Sequence, residues 1–184
     1  MPAVSFDALP PQARVWVFAS DRELDTKDAS LFLAEVDRFL EQWKAHGAPL
    51  RSARELRDDR FLAIGVDPTA EQASGCSIDG LFRGLRDLEA RLETTLVAGG
   101  RVFYRSAGGR PVAALRHDIR RLNECGEFTG DTPVFDTSVT DVAGWRERFE
   151  RPARESWVGA LLPAAQASQP SSRSATNASS VRNG

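Results

Sequence analysis

Positions 14–19 (RVWVFA) alternate and are rich in β-branched and aromatic residues, the pattern of a strand. A polar loop covers 20–27. Residues 28–45 then bring Phe32, Val36, Phe39, Leu40 and Trp43 to one side at helical spacing. His46-Gly47 supply the expected stop, with Gly47 suited to a left-handed cap and Pro49 just beyond. Residues 50–56 and 61–66 read as two strands joined at Asp58-Asp59. After Asp67-Pro68 a loose loop reaches Ser74. Either Ser74 or Ser77 can cap a second helix, whose expected buried stripe is Ile78, Phe82, Leu85, Leu88 and Leu92. Residues 102–105 form a further strand.

Strand, helix, strand, strand, helix, strand is the order of a split βαββαβ unit. The expected fold class is therefore α+β, with a ferredoxin-like unit over 13–106. Two helices would cover one face of a four-stranded antiparallel sheet. Residues 1–12 read as an irregular lead-in. From 163 to 184 the chain turns to Ala, Ser, Gln, Asn and Pro without apolar periodicity, so a disordered tail is expected there.

Composition narrows the function classes. The chain has 184 residues, 41% of them hydrophobic, enough for a real core. A net charge of -2 argues against a nucleic-acid partner. No apolar run is long enough to span a bilayer, so no membrane partner is expected. The first eleven residues lack a basic stretch followed by an apolar one, so no export signal is expected and the cytoplasm is the expected location. The two cysteines, Cys76 and Cys125, lie far apart and form no metal-binding spacing. No metal and no cofactor is expected, and the expected partner is a small molecule or peptide of unknown identity.

A second pattern spans 101–150: a hairpin, a helix near 115–124, Gly126-Glu127, then Asp131-Thr132-Pro133-Val134-Phe135 and Trp145. This order resembles GYF-like modules of bacterial proteins. Residues 101–162 are accordingly expected to form a small GYF-like unit packed on the first. Over a longer extent, 14–162, the chain resembles a family of short bacterial proteins of unestablished function. The words that carry it are RVWVF (14–18), FLEQWKAHG (39–47), SGCSID (74–79) and TPVFDTSVT (132–140). Members are often labelled ABC-transporter ATPases. The sequence has no GxxxxGK[ST], and neither Lys27 nor Lys44 follows a glycine, so an ATPase site has no seat.

The candidate chemistry gathers where the second helix begins. A helix amino end carries unpaired N–H groups and partial positive charge, which favour a thiolate. Cys76 is thus the candidate nucleophile of a thiol-dependent enzyme. In the split βαββαβ arrangement the end of helix one and the start of helix two share an edge, which makes His46 the candidate base. Asp79 or Asp67 would orient that histidine. Gly75 would let a ligand come close, and the N–H groups of Cys76, Ser77 and Ile78 would hold an anion with help from Arg14 and Arg51. Two alternatives stand beside the enzyme. One is an anion-binding regulatory domain using the same helix end without chemistry. The other is a non-catalytic adaptor. For it, the GYF-like resemblance implies an aromatic platform of Phe103, Tyr104, Phe135 and Trp145 for proline-containing peptides. His117 and Cys125 read as structural, and Trp16 and Trp43 as core.

Overall fold

A computed structural model describes residues 4–69, 71–96 and 99–163. It is an α+β structure. The chain runs β1 (Arg14–Ala19), α1 (Thr26–Gln42), β2 (Lys44–Ala45), β3 (Ala48–Pro49), β4 (Ser52–Arg57), β5 (Phe61–Val66) and α2 (Gly75–Leu92). It continues through β6 (Arg101–Arg105), β7 (Pro111–Leu115), α3 (Ile119–Glu124), β8 (Pro133–Phe135), α4 (Val142–Glu147) and β9 (Glu150–Pro152).

The first sheet is antiparallel in the order β1-β5-β4. All six residues of β5 are buried, as a central strand covered on both faces requires. Phe18, Leu62, Ile64 and Val66 point to one face, where Phe32, Val36 and Leu40 of α1 and Leu81, Leu85 and Leu88 of α2 cover them. Asp25 caps α1, accepting from the Asp28 N–H at 2.8 Å. The buried stripe of α2 is Ser77, Leu81, Leu85, Leu88 and Leu92. Ile78 and Phe82, expected in that stripe, are only half-buried.

Two expectations are corrected here. First, α1 ends at Gln42, not at 45. Trp43 turns into extended backbone, and its carbonyl accepts from the Leu50 N–H. His46 (φ 50°) and Gly47 (φ 86°) form the turn of the β2–β3 hairpin. Gly47 does take the left-handed conformation, but in a hairpin turn and not as a helix cap. Second, the strand at 101–105 does not complete the first sheet. It belongs to a second antiparallel sheet, ordered β7-β6-β8-β9.

The second sheet lies face to face with the first. Phe103 and Phe135 turn toward Phe61 of β5, with ring centroids 5.4 and 4.5 Å away, and Phe149 stands at 5.2 Å. Beside Phe61, Ala53 and Ala63 keep the first sheet's face low enough for these rings to meet it. The opposite face of the second sheet, Val102, Tyr104 and Val134, is covered by Ile119, Leu122, Phe128 and Val158. The lead-in is not peripheral either. Phe6, Leu9 and Ala13 are buried in the inter-sheet core, and a Cβ at position 65 would collide with Leu9, which accounts for Gly65.

Polar ties close the same seam. The Trp145 indole donates to Glu55 Oε2 (3.0 Å), and Arg57 donates to the Trp145 carbonyl (3.0 Å) while lying over its ring. Arg105 donates to Glu150 (2.6 and 2.7 Å) and to Asp58 (3.2 Å). Phe61→Ala is expected to cost about 3–5 kcal/mol of unfolding free energy, the range for emptying an aromatic site in a packed core. Urea denaturation checks it, and a loss under about 1 kcal/mol would show that the rings do not hold the sheets together.

Candidate functional site

The start of α2 is built by a serine pair. Ser74, in extended backbone, accepts from the Ser77 N–H (3.3 Å), and the Ser77 hydroxyl donates to the Ser74 carbonyl (2.8 Å). The Ile78 N–H also goes to the Ser74 carbonyl (3.0 Å). Two of the three N–H groups expected to cradle an anion, those of Ser77 and Ile78, are therefore spent inside the helix. Gly75 and Cys76 lead the first turn, both exposed.

This helix end is tied to the rest by aromatic contacts. The buried Trp43 indole donates to the Ser77 carbonyl at 2.9 Å. Trp43 meets Phe39 at 5.5 Å and Trp16 at 6.0 Å, and the Arg14 guanidinium lies 4.5 Å above the Trp16 ring. Arg14, Trp16 and Val66 border a depression of about 100 Å³ together with Pro68, Gln72 and Ala73. The last three also border a shallow, wider groove of about 500 Å³, with His46, Glu71 and Ser74. One edge thus runs from Arg14 to His46 across the approach to α2.

The expected catalytic relay is not wired along this edge. Cys76, His46 and Asp79 are all exposed, and none of their side chains makes a hydrogen bond or ion pair among the described residues. His46 lines the groove; Cys76 does not. Asp67 is 1% exposed and fully engaged. It accepts from the Thr69 N–H (2.9 Å), the Thr69 hydroxyl (2.7 Å) and Arg51 (2.9 Å). Its role is to fasten the exit of β5, not to orient His46, and Arg51 is committed to the same pair. Arg14 remains the basic group on this edge with its guanidinium on a ring and not on a carboxylate.

The aromatic platform is also corrected. Phe103, Tyr104, Phe135 and Trp145 are each 9% exposed or less, packed into the two cores that flank the second sheet. Consecutive strand residues face opposite ways, and both faces here are covered. Among the described residues the large apolar side chains left exposed are Leu115 and Trp157, the latter under Arg116 at 5.5 Å. His117 and Cys125, expected to be structural, are exposed just before and just after α3.

Sequence reasoning missed a device used twice. Asp136 is buried like Asp67 and accepts from the Ser138 N–H (3.0 Å), the Ser138 hydroxyl (2.5 Å) and Arg151 (2.6 Å). Asp67-Pro68-Thr69 and Asp136-Thr137-Ser138 are the same Asp-x-Ser/Thr turn at a strand exit, each locked by an arginine. The spacing was available in the sequence. Elsewhere, a groove of about 290 Å³ between α1 and α2 has an apolar floor including Phe39 and a rim where Glu35 pairs with Arg38 and Arg91. Among the described residues no group of three or more His, Cys, Asp or Glu gathers as a metal cage, and no helix is long and apolar enough to cross a membrane.

Scans against protein-family models, curated proteins and solved structures find no match to this chain.

The Thr69 bonds, and after them Arg51, hold the Asp67 carboxyl below its ordinary value of 3.8. Its stabilising contribution is complete above that value and is lost as the pH falls through the lower folded one. Stability should therefore decline on acidification from about pH 5 downward. Asp67→Asn should flatten that slope. Denaturant midpoints of both proteins across this range check it, and parallel profiles would remove Asp67 as a source of acid sensitivity.

Proposed function

We propose that this is a non-catalytic binding protein whose ligand carries an anionic group, held along the edge where α2 begins. The observation that supports this most is the run of Arg14, Trp16, Gln72, Ser74 and His46 along one continuous border, with Glu71 its one acidic member among the described residues. The helix end offers partial positive charge from backbone that needs no reorganisation. Arg14 adds a full charge and Trp16 a flat apolar surface. His46 adds an imidazole that can donate a hydrogen bond. The commitment of Asp67 to Thr69 and Arg51 argues against a hydrolase-like relay on this edge. A small molecule fits the reading better than nucleic acid or a membrane, in keeping with the slight net negative charge. A cytoplasmic setting, where both thiols stay reduced, fits it too.

The thiol-dependent enzyme is the second reading, favoured by the exposure of Cys76 in the first turn of α2. In it Cys76 would be the nucleophile and His46 its base. We read the first half as a split βαββαβ unit whose last strand has been drawn into the second sheet.

Alkylation separates the two readings. In the intact protein Cys125 is also exposed and serves as an internal reference. Binding predicts that Cys76 reacts with iodoacetamide at neutral pH at a rate comparable to Cys125. It also predicts that millimolar inorganic phosphate slows Cys76 alone, with protection weakened about threefold to tenfold in Arg14→Ala, the size of one exposed charge interaction. Cys76 reacting about tenfold or more faster than Cys125, with no effect of phosphate, would replace the binding reading with the thiol enzyme.

A further inference from the structure

The second sheet ends at β7, and the phase of its pairing fixes what that edge offers. At one end of β7 the Ser106 N–H donates to the Arg110 carbonyl (2.9 Å), and at the other the Arg116 N–H donates to the Gly100 carbonyl (3.0 Å). With the β6–β7 register, these bonds turn the backbone groups of Val112 and Ala114 toward β6. Those of Pro111, Ala113 and Leu115 point outward. The Pro111 carbonyl accepts from Arg60 (2.6 Å). The N–H and C=O of Ala113 and Leu115 meet no partner among the described residues. Nearby described backbone is engaged elsewhere: Leu96 accepts from Ala19 of β1, and Gly100 faces Arg116 from the β6 side.

This edge is also accessible and uncharged. No residue of β7 is fully buried, and Leu115 is 43% exposed. The run Pro111-Val112-Ala113-Ala114-Leu115 carries no ionisable side chain. Charges stand just outside it, with Arg110 and Arg116 at its ends and Asp118 in the single helical turn that follows. A strand left bare in this way is a ready template for another strand.

We propose that β7 pairs antiparallel with β7 of a second copy of this chain about a twofold axis at Ala114, which joins the two second sheets into one continuous sheet. Self-complementarity selects that occupant. In this register Ala113 faces Leu115 of the second copy, and the two exchange both of their outward hydrogen bonds. The small alanine leaves room for the leucine, and the axis repeats the contact. The same register sets Arg110 opposite Asp118 of the second copy. An axis one residue earlier, at Ala113, would set Leu115 opposite Pro111, which has no N–H, and Arg110 opposite Arg116. Hydrogen bonding and charge therefore select the same axis. The interface shares no residue with the edge at α2, so it stands or falls without that reading.

The test follows the mass of the full chain by light scattering from about 10 μM to about 1 mM, the span in which a small interface associates. The mass should rise toward twice the 20.2 kDa of one chain. Ala113→Pro removes only an outward N–H and leaves the β6–β7 ladder intact, so association should weaken about tenfold or more. Leu115→Lys, which leaves the backbone untouched, should do the same by placing like charges beside the axis. Ala114→Cys in a Cys76→Ser/Cys125→Ser background reads the register. Its two thiols face each other across the axis, and diamide, which takes up both hydrogens, should couple them about tenfold faster than in Ala113→Cys. A single-chain mass throughout the range overturns the proposal. So does a dimer that both Ala113→Pro and Leu115→Lys leave intact, or coupling at position 113 as fast as at 114.

Discussion

The Phe61 side chain sets the position of nearly everything else. It stands on the central strand of the first sheet, wholly buried, and touches three rings that all belong to the second half of the chain. Two sheets can meet this way only if one presents large side chains where the other is small. Ala53 and Ala63 supply the low ground around Phe61, and Gly65 leaves room for Leu9 of the lead-in. Given that contact, β6 is held face-on to β5 by Phe103. It cannot also lie edge-on to β1, where a four-stranded sheet would need it. The layered order of helices, sheet, sheet and covering helices follows from that single choice.

That choice also marks where sequence reading stops. Periodicity reports which faces of an element are buried, and so β1, β4, β5, α1 and α2 are legible, while the cap of α2 is narrowed only to Ser74 or Ser77. It does not report which element lies beside which. Residues 102–105 read correctly as a strand, but nothing in RVFYR says that its neighbours are β7 and β8. The end of α1 was misplaced because Trp43 keeps the apolar phase of the helix while leaving it to reach Ser77. The lead-in gives no periodic signal because Phe6 and Leu9 are isolated apolar positions, buried in the inter-sheet core. At the site, an aspartate beside a helix start was read as chemistry, although the threonine two positions on already offered it a structural partner.

Arginine chemistry explains why so much of the apparent site is scaffolding. Only Lys27 and Lys44 break an otherwise all-arginine set of cations. A guanidinium can fork onto a carboxylate or carbonyl across elements with defined geometry, which an ammonium cannot do. Arg54 holds Asp37 of α1 with two bonds (2.8 and 2.7 Å), Arg51 holds Asp67, Arg151 holds Asp136, and Arg60 reaches the Pro111 carbonyl (2.6 Å). These pairs specify how segments meet more than they add net stability, since partly exposed ion pairs contribute little. Arg14 differs from these because its guanidinium lies on the Trp16 ring and pairs with no carboxylate among the described residues.

Edge strands invite unwanted pairing, and the two outer edges of the first sheet are treated differently. The edge of β4 receives the Val4 N–H at the Ser52 carbonyl, so the lead-in that fills the inter-sheet core also shields this side. The edge of β1 is covered at its ends by backbone from two distant parts of the chain, Thr140 and Leu96. Backbone from two sequence-distant segments at both ends of the strand denies a passing chain the long flat edge that unwanted pairing needs.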